Sequence, residues 1–305
     1  MAYTRDSIPD LSGRIAVVTG ANGGLGLETA QALAAKGAVV VMAARDQEKA
    51  AAAAARIREA TPEASLEIVE LDLGSQASTK QAATNIAARH PSVDILVNNA
   101  GVMASPEGRT VDGFETQLGI DHLGHWTFTA LLLPSLLAAP AARVVTVTST
   151  AHHFGRAIDP GKPYPPGRYQ AWLAYGTAKL ANYHFGLGLH DRFARAHVRA
   201  ASLIAHPGLS HSDLQLRTVR EGGGGPLAPF FARAAARTGM EPADGAMPQI
   251  RAATDPAAVS GEFYGPRFIN NGRPVRLGVL RPGRKRAIAN LWKFSEHATG
   301  VAIDI

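Results

Sequence analysis

The sequence predicts an α/β fold, a doubly wound parallel sheet of about seven strands with helices on both faces, in a single domain over residues 1–305. Three observations carry this. Apolar runs alternate with amphipathic segments in strand–helix order, the pattern of a parallel sheet covered on both sides. The first run, Ile15 to Val18, leads through Thr19 into a glycine-rich turn that opens a helix over Leu27 to Lys36. A chain of 305 residues, 46% of them hydrophobic, suits one domain built on a single sheet.

In chain order the expected strands are Ile15 to Thr19, Val39 to Ala43, Leu66 to Leu71, Ile95 to Asn98, Val144 to Thr148 and Ala200 to Ala205, with helices between them. Ala50 to Ala55, flanked by charges, reads as a surface helix because alanine has the highest helix propensity. Val111 to Leu137 and Tyr175 to Ala196 are longer and more apolar, and are expected against the sheet and at the contact of a homodimer or homotetramer. His152 to Leu173, with four prolines, is irregular. Leu209 to Gly245 is irregular too and carries the run Gly222 to Gly225; it is expected to be a substrate lid. Residues 281–305 read as a C-terminal extension.

Composition narrows the functional classes. Without cysteine, disulfides, thiolate metal sites and a cysteine nucleophile are excluded. No apolar run approaches the roughly 18–20 residues needed to cross a bilayer, and Met1 to Asp10 is polar, so a cytoplasmic protein with no membrane span is expected. The net charge is +6, with Arg281, Arg284, Lys285 and Arg286 close together. No nucleic-acid-binding pattern surrounds that cluster, so it reads as a solvated face, and no nucleic acid is expected as partner.

The glycine run is Thr19-Gly20-Ala21-Asn22-Gly23-Gly24-Leu25-Gly26. Glycines let the backbone turn sharply and approach a pyrophosphate, whose charge is met by unpaired N–H groups at the helix start. Asn98-Asn99-Ala100-Gly101 closes the fourth strand; its amides can tie that strand end to a neighbour while Gly101 lets backbone pass near a ligand. Asp72, followed by Leu73, is placed to accept from an adenine amino group, the competing reading being a helix N-cap. At the end of the second strand, Ala44 stands where a carboxylate would bind both ribose hydroxyls, and Arg45 follows. A guanidinium suits a 2′-phosphate, which favours NADP(H) over NAD(H); the competing reading stacks Arg45 on adenine in an NAD site. Asp46 stands one residue too late to be the ribose carboxylate.

Ser149, Tyr175 and Lys179 form the reactive set. The i, i+4 spacing puts Tyr175 and Lys179 on one helix face, where an ammonium is expected to lower the phenol pKa and make Tyr175 useful in acid–base work. Ser149, at a strand end, can donate to the same substrate oxygen. No metal is expected: His122 with His125, and His152 with His153, lack a third ligand and a metal-binding pattern.

TGANGGLG, NNAG, the Ser149/Tyr175/Lys179 set and His206-Pro207-Gly208 together resemble the short-chain dehydrogenases/reductases, from about Leu11 to Phe294. HLGHWTFTALLLP, TSTAHHFGR and YGTAKLAN are similar to the branch of retinol dehydrogenases, the WW-domain oxidoreductase and protochlorophyllide reductase-like proteins. The resemblance implies a Rossmann-type domain with Tyr175 as proton donor or acceptor, Lys179 on the nicotinamide ribose and Ser149 positioning the substrate carbonyl. It puts Pro207 and Gly208 at the cofactor and Ser212 where a threonine contacts the nicotinamide amide.

One position departs. Asp121 stands where the family has a catalytic asparagine. If the backbone carbonyl of a kinked helix carries the role, the change is mild, and this is the expectation. If the side chain faces Lys179, it stabilises the ammonium and opposes the tyrosinate. The substrate implied is an apolar carbonyl or alcohol in a pocket drawn from Tyr164, Trp172, Leu214, Leu216, Phe230 and Phe231, with double-bond reduction also open. The alternative is a catalytically weak NADP-binding sensor or scaffold.

Overall fold

The structure is a computed structural model that describes residues 2–163, 168–210, 218, 223, 239–278 and 283–305. Eight strands form one sheet: β1 (Ile15–Thr19), β2 (Val39–Ala44), β3 (Leu66–Glu70), β4 (Ile95–Asn98), β5 (Arg143–Val147), β6 (Ala201–Ala205), β7 (Phe263–Pro266) and β8 (Pro274–Leu277). Their order is β3-β2-β1-β4-β5-β6-β7-β8, parallel except for β8. The six expected strands all form. The antiparallel edge pair went unseen because β7 reads Phe-Tyr-Gly-Pro and β8 opens on Pro274, residues that suppress a strand signal but are tolerated at a sheet edge.

Alternate residues of each inner strand feed two cores. Val17, Val41, Leu96, Val144 and Ile204 face one, and Ala16, Val18, Val40, Met42, Val97, Val145 and Leu203 face the other. A strand buried on both sides reads as a continuous apolar run, as these do. Helix α1 (Gly24–Ala34) and α2 (Gln47–Ala60) cover the second face. The first carries α3 (Gln76–Arg89), α5 (Gly124–Ala138) and α6 (Ala171–Arg195), the last two being the long apolar segments of the sequence. The chain runs outward from β1 to β3 and returns to β4, so strand order reverses between β1 and β4 and opens a crevice at their C-terminal ends.

Val111 to Leu137 is not one helix. The Glu115 carboxylate caps the N–H groups of Gln117 and Leu118 and so starts the short α4 (Thr116–Leu118). A wide π turn over Gly119–Leu123 follows before α5 resumes regular geometry. Gly124 is required at the exit, since a Cβ there would lie 2.5 Å from the Leu73 carbonyl. The π turn carries Asp121 and aims it inward.

Helix α7 (Met247–Thr254) packs on the α1 side. Helix α8 (Arg284–Thr299) lies on α6, so this part of the expected extension belongs to the core. Trp126 is its anchor: the ring meets Trp292 edge-on at 5.0 Å and Phe185 at 5.8 Å, and its indole N–H donates to the Val301 carbonyl at 2.8 Å. Arg284, Lys285 and Arg286 are exposed, and Arg281 lies outside the described residues. Among the described residues no helix is long and apolar enough to cross a membrane. Trp126→Ala should cost roughly 3–5 kcal/mol by leaving a cavity under α8, measured as a fall in unfolding free energy in urea.

Candidate active site

At the crevice, α1 begins without a side-chain cap. Gly23 precedes it, and the first turn carries no acidic residue, so the helix N-terminus presents N–H groups to an anion. Gly20 adopts a left-handed φ of +68°, and its N–H donates to the Ala43 carbonyl at 2.7 Å. A Cβ on Gly26 would collide with the Gly20 carbonyl and come within 2.7 Å of the Asn99 amide nitrogen. Asn22, Gly23, Gly24 and Leu25 are half-buried along the loop. The loop is thus a bare backbone cradle that side chains would fill, and its donor set suits a pyrophosphate.

Thr19 bolts the cradle to the next strand, a role the sequence reading missed. Its hydroxyl oxygen accepts from the N–H groups of Asn99 (2.9 Å) and Ala100 (3.0 Å). Asn99 returns a bond from its amide nitrogen to the Thr19 carbonyl at 2.9 Å, the strand-end tie expected of this motif. The Asn99 amide oxygen accepts from Gln249 of α7 at 3.0 Å. His125 Nδ1 donates to the Asp121 carbonyl at 2.9 Å, which leaves Nε2 to accept from the Thr19 hydroxyl, also at 2.9 Å. Burial lowers the His125 pKa to about 4 and keeps the ring in this neutral form.

Ser149 follows β5 and caps a 3-10 turn, its hydroxyl accepting from the Ala151 N–H at 3.2 Å, and it acts on Tyr175 to lower the phenol pKa. Tyr175 and Lys179 lie one turn apart on α6, with Nζ 5.5 Å from the phenol ring centre. The Thr148 hydroxyl donates to the Lys179 carbonyl at 2.6 Å, fastening the helix to the strand that carries Ser149. The three expected catalytic side chains are brought together. Trp172 meets the Tyr175 ring edge-on at 6.1 Å.

Of the two arrangements open to Asp121, the structure has the side chain facing Lys179. Its side chain, not only its carbonyl, enters the site: Oδ2 lies 3.0 Å from Lys179 Nζ, and Oδ1 accepts the Val102 N–H at 2.7 Å. The π turn carries residue 121 with its side chain buried. The Tyr175 phenol is not made more acidic overall. Burial raises its pKa, Lys179 lowers it, Asp121 raises it again, and the net direction is upward. For Lys179, burial pulls downward but Asp121 and Tyr175 together outweigh it, so the amine is held as ammonium. Gly101 makes room for the pair, since a Cβ there would lie 3.0 Å from both Asp121 Oδ1 and Lys179 Nζ.

Other expected residues fall at the rim. Arg45 is exposed at the end of β2, while Asp46 is spent on capping α2 through the Lys49 N–H at 3.0 Å. Asp72 is not a helix N-cap: it accepts from the Gly74 N–H at 2.9 Å in a turn, and Ser75 caps α3. Leu73 is buried against the π turn. Gly208 has a φ of +69° and donates to His206 Nδ1 at 3.1 Å, and the Pro207 carbonyl accepts from the Ser210 hydroxyl. Ser212, Tyr164, Leu214, Leu216, Phe230 and Phe231 lie outside the described residues, as does most of the expected lid. His122 is engaged by the Ser295 hydroxyl at 2.8 Å, and among the described residues no group of three or more histidine or acidic side chains is arranged to hold a metal. Also unread in the sequence was the clamp in which the Tyr169 hydroxyl meets Gln117 at 2.7 Å and Glu115 at 2.9 Å, tying the start of α6 to α4.

A doubly wound sheet with a glycine cradle at its switch point, and a serine, tyrosine and lysine brought together beside it, places the chain among the Rossmann-type α/β proteins. Within that class the chain belongs to the short chain dehydrogenase family, whose model matches residues 14–221. It is 42% identical over 204 residues to human retinol dehydrogenase 12, an alignment covering 67% of this chain and 64% of that protein's length. A solved structure from Mycobacterium paratuberculosis, of uncharacterized function, matches with a TM-score of 0.79 and 37% identity over 100% of both chains. Another, from Beutenbergia cavernae, is assigned as an NAD(P)-dependent gluconate 5-dehydrogenase and carries NADP at low occupancy; it matches with a TM-score of 0.64 and 25% identity, over 84% of this chain and 96% of its own.

Burial lowers His122 to about 3 and His206, like His125, to about 4, below the ordinary 6.5. Between those values the unfolded chain binds more protons than the folded one, so stability is retained above pH 6.5 and lost as pH falls toward 4. Urea unfolding at stepped pH should show a midpoint that declines through this window.

Proposed function

We propose that this protein is an NADP(H)-dependent oxidoreductase that interconverts a carbonyl and an alcohol on a largely apolar substrate, with Tyr175 as the acid–base group. The observation that carries the reading is the convergence of Ser149, Tyr175 and Lys179 beside the bare glycine cradle. Gly20, Asn22, Gly23, Gly24, Leu25 and Gly26 would hold the pyrophosphate, with Asp72, Leu73, Asn99, Ala100 and Gly101 along the adenosine and ribose side. Pro207 and Gly208 would flank the nicotinamide. Arg45, exposed with no carboxylate at position 44, favours the 2′-phosphate. A bound nicotinamide supplies or accepts the hydride at the substrate carbon.

The protein's part is positioning and proton movement. Ser149 donates to the substrate oxygen and fixes the carbonyl against Tyr175. The Tyr175 Oη proton passes to that oxygen in reduction and returns from the alcohol in oxidation. Lys179 orients the ribose through its ammonium. The π turn and the Tyr169 clamp keep the start of α6 in register with these groups. Reduction is the direction that a cellular NADPH pool would drive.

Tyr175→Phe should abolish turnover of any aldehyde or ketone while leaving NADPH binding within about twofold, read by nicotinamide fluorescence and a carbonyl panel; normal turnover would sink the assignment. Ala44→Asp should weaken NADPH by about 10-fold or more and leave NADH little changed, since a new carboxylate repels the 2′-phosphate. An unaltered preference in paired titrations would show that the end of β2 does not select the cofactor.

A further inference from the structure

Asp121 introduces a second buried charge beside the acid–base tyrosine. Its side chain is wholly buried, and that of Lys179 is only 6% exposed. The carboxylate uses both oxygens, Oδ1 on the Val102 N–H at 2.7 Å and Oδ2 against Nζ at 3.0 Å. An amide at this position cannot do both: with its oxygen on Val102, its NH2 group would face the ammonium, donor against donor. The bare face of Gly101 closes over the pair and leaves no room for a side chain between them.

The groups facing Tyr175 can be named element by element. Lys179 faces it from its own helix, Asp121 from the π turn, the Ser149 hydroxyl from the end of β5, and the Trp172 ring from the first turn of α6. Burial raises the Asp121 pKa, against Lys179 and the Val102 N–H, which favour its carboxylate; Glu115, the N-cap of α4, raises it slightly from further away, and His125 is neutral. An isolated ammonium beside the phenol would favour the phenolate. An ammonium with a carboxylate at 3.0 Å is a neutral pair in which the carboxylate offsets part of the ammonium's effect on the ring, and burial, the largest influence, then favours the uncharged phenol.

We propose that Asp121 is a positioning residue that pins Lys179 in a neutral buried ion pair and thereby holds Tyr175 as the phenol through the neutral range, suiting the site to give a proton to a carbonyl oxygen rather than take one from an alcohol. The proposal rests on the preceding reading of Tyr175 as the acid–base group. In the reductive direction the carbonyl carbon gains the hydride from NADPH, the C=O π pair closes on the Tyr175 Oη proton, NADP+ is left, and the phenolate regains a proton from water. Oxidation needs the phenolate first, so its rate at neutral pH is limited by the small fraction ionised.

Ultraviolet tyrosinate titration tests this without turnover: the curve of the wild-type protein minus that of Tyr175→Phe isolates residue 175. The expected result is ionisation only above the ordinary value of about 10, or only on unfolding. In Asp121→Asn, referenced to its own Tyr175→Phe double variant, ionisation should move down by about one unit or more, a roughly 10-fold rise in phenolate at a given pH. The pH profile of alcohol oxidation should shift to lower pH by the same amount, with oxidation at pH 7 rising by a similar factor. A residue 175 that ionises near neutrality in the wild type, or an Asp121→Asn curve that superimposes on the wild type, overturns the proposal. If Asp121→Asn does not fold, the wild-type difference curve alone decides. Because the titration uses no substrate, absence of turnover with every carbonyl and alcohol counts against the functional reading and not against the ion pair.

Discussion

The buried hydroxyl of Thr19 sits where strand order reverses, and both halves of the site take their geometry from it. It accepts two backbone N–H groups from the end of β4 and donates to His125, whose other nitrogen holds the Asp121 carbonyl. Each such bond adds about 1 kcal/mol net, but a buried partner left unsatisfied costs about 1–3 kcal/mol. The strand that leads into the glycine cradle, the NNAG segment and the π turn are therefore set as one unit. A shift of any one would break a bond in the other two. Gln249 extends the lock to α7 by gripping the Asn99 amide from behind.

From this unit the arrangement of the proposed acid–base site follows by short steps. The π turn points Asp121 at Lys179, Gly101 leaves the space for their contact, and α6 carries Tyr175 one turn away. A buried ion pair gains little stability over apolar packing because desolvation of both charges offsets their attraction. Its value here is electrical: it sets the field in which a buried phenol keeps or loses its proton. The sequence alone suggests that Lys179 lowers the Tyr175 pKa, and that holds for the lysine taken by itself. Burial and Asp121 reverse the sum.

Much of this was legible in the sequence where a residue's local chemistry decides its role. The glycine run reads as a cradle because no side chain fits between Gly20 and Gly26, and Tyr175 and Lys179 read as a pair because helical spacing puts them on one face. What was not legible depends on contacts distant in sequence. Thr19 looks like the last residue of a strand until Asn99 and His125 are brought to it. The Asp121 orientation depends on a π turn, flanked by the Glu115 cap and the close packing of Gly124 on Leu73, that has no periodic signature. Strands β7 and β8 were hidden by glycine and proline, with Pro266 closing β7 and Pro274 opening the edge strand β8.

The proposed function requires the crevice between β1 and β4 to hold the dinucleotide with its reactive ring at Tyr175. The most direct measurement is a crystal structure of the protein grown with NADP. The pyrophosphate is expected on the N–H groups of α1, the 2′-phosphate by Arg45 and the nicotinamide within reach of Ser149 and Tyr175. A dinucleotide bound elsewhere, or one whose nicotinamide points away from Tyr175, would contradict it.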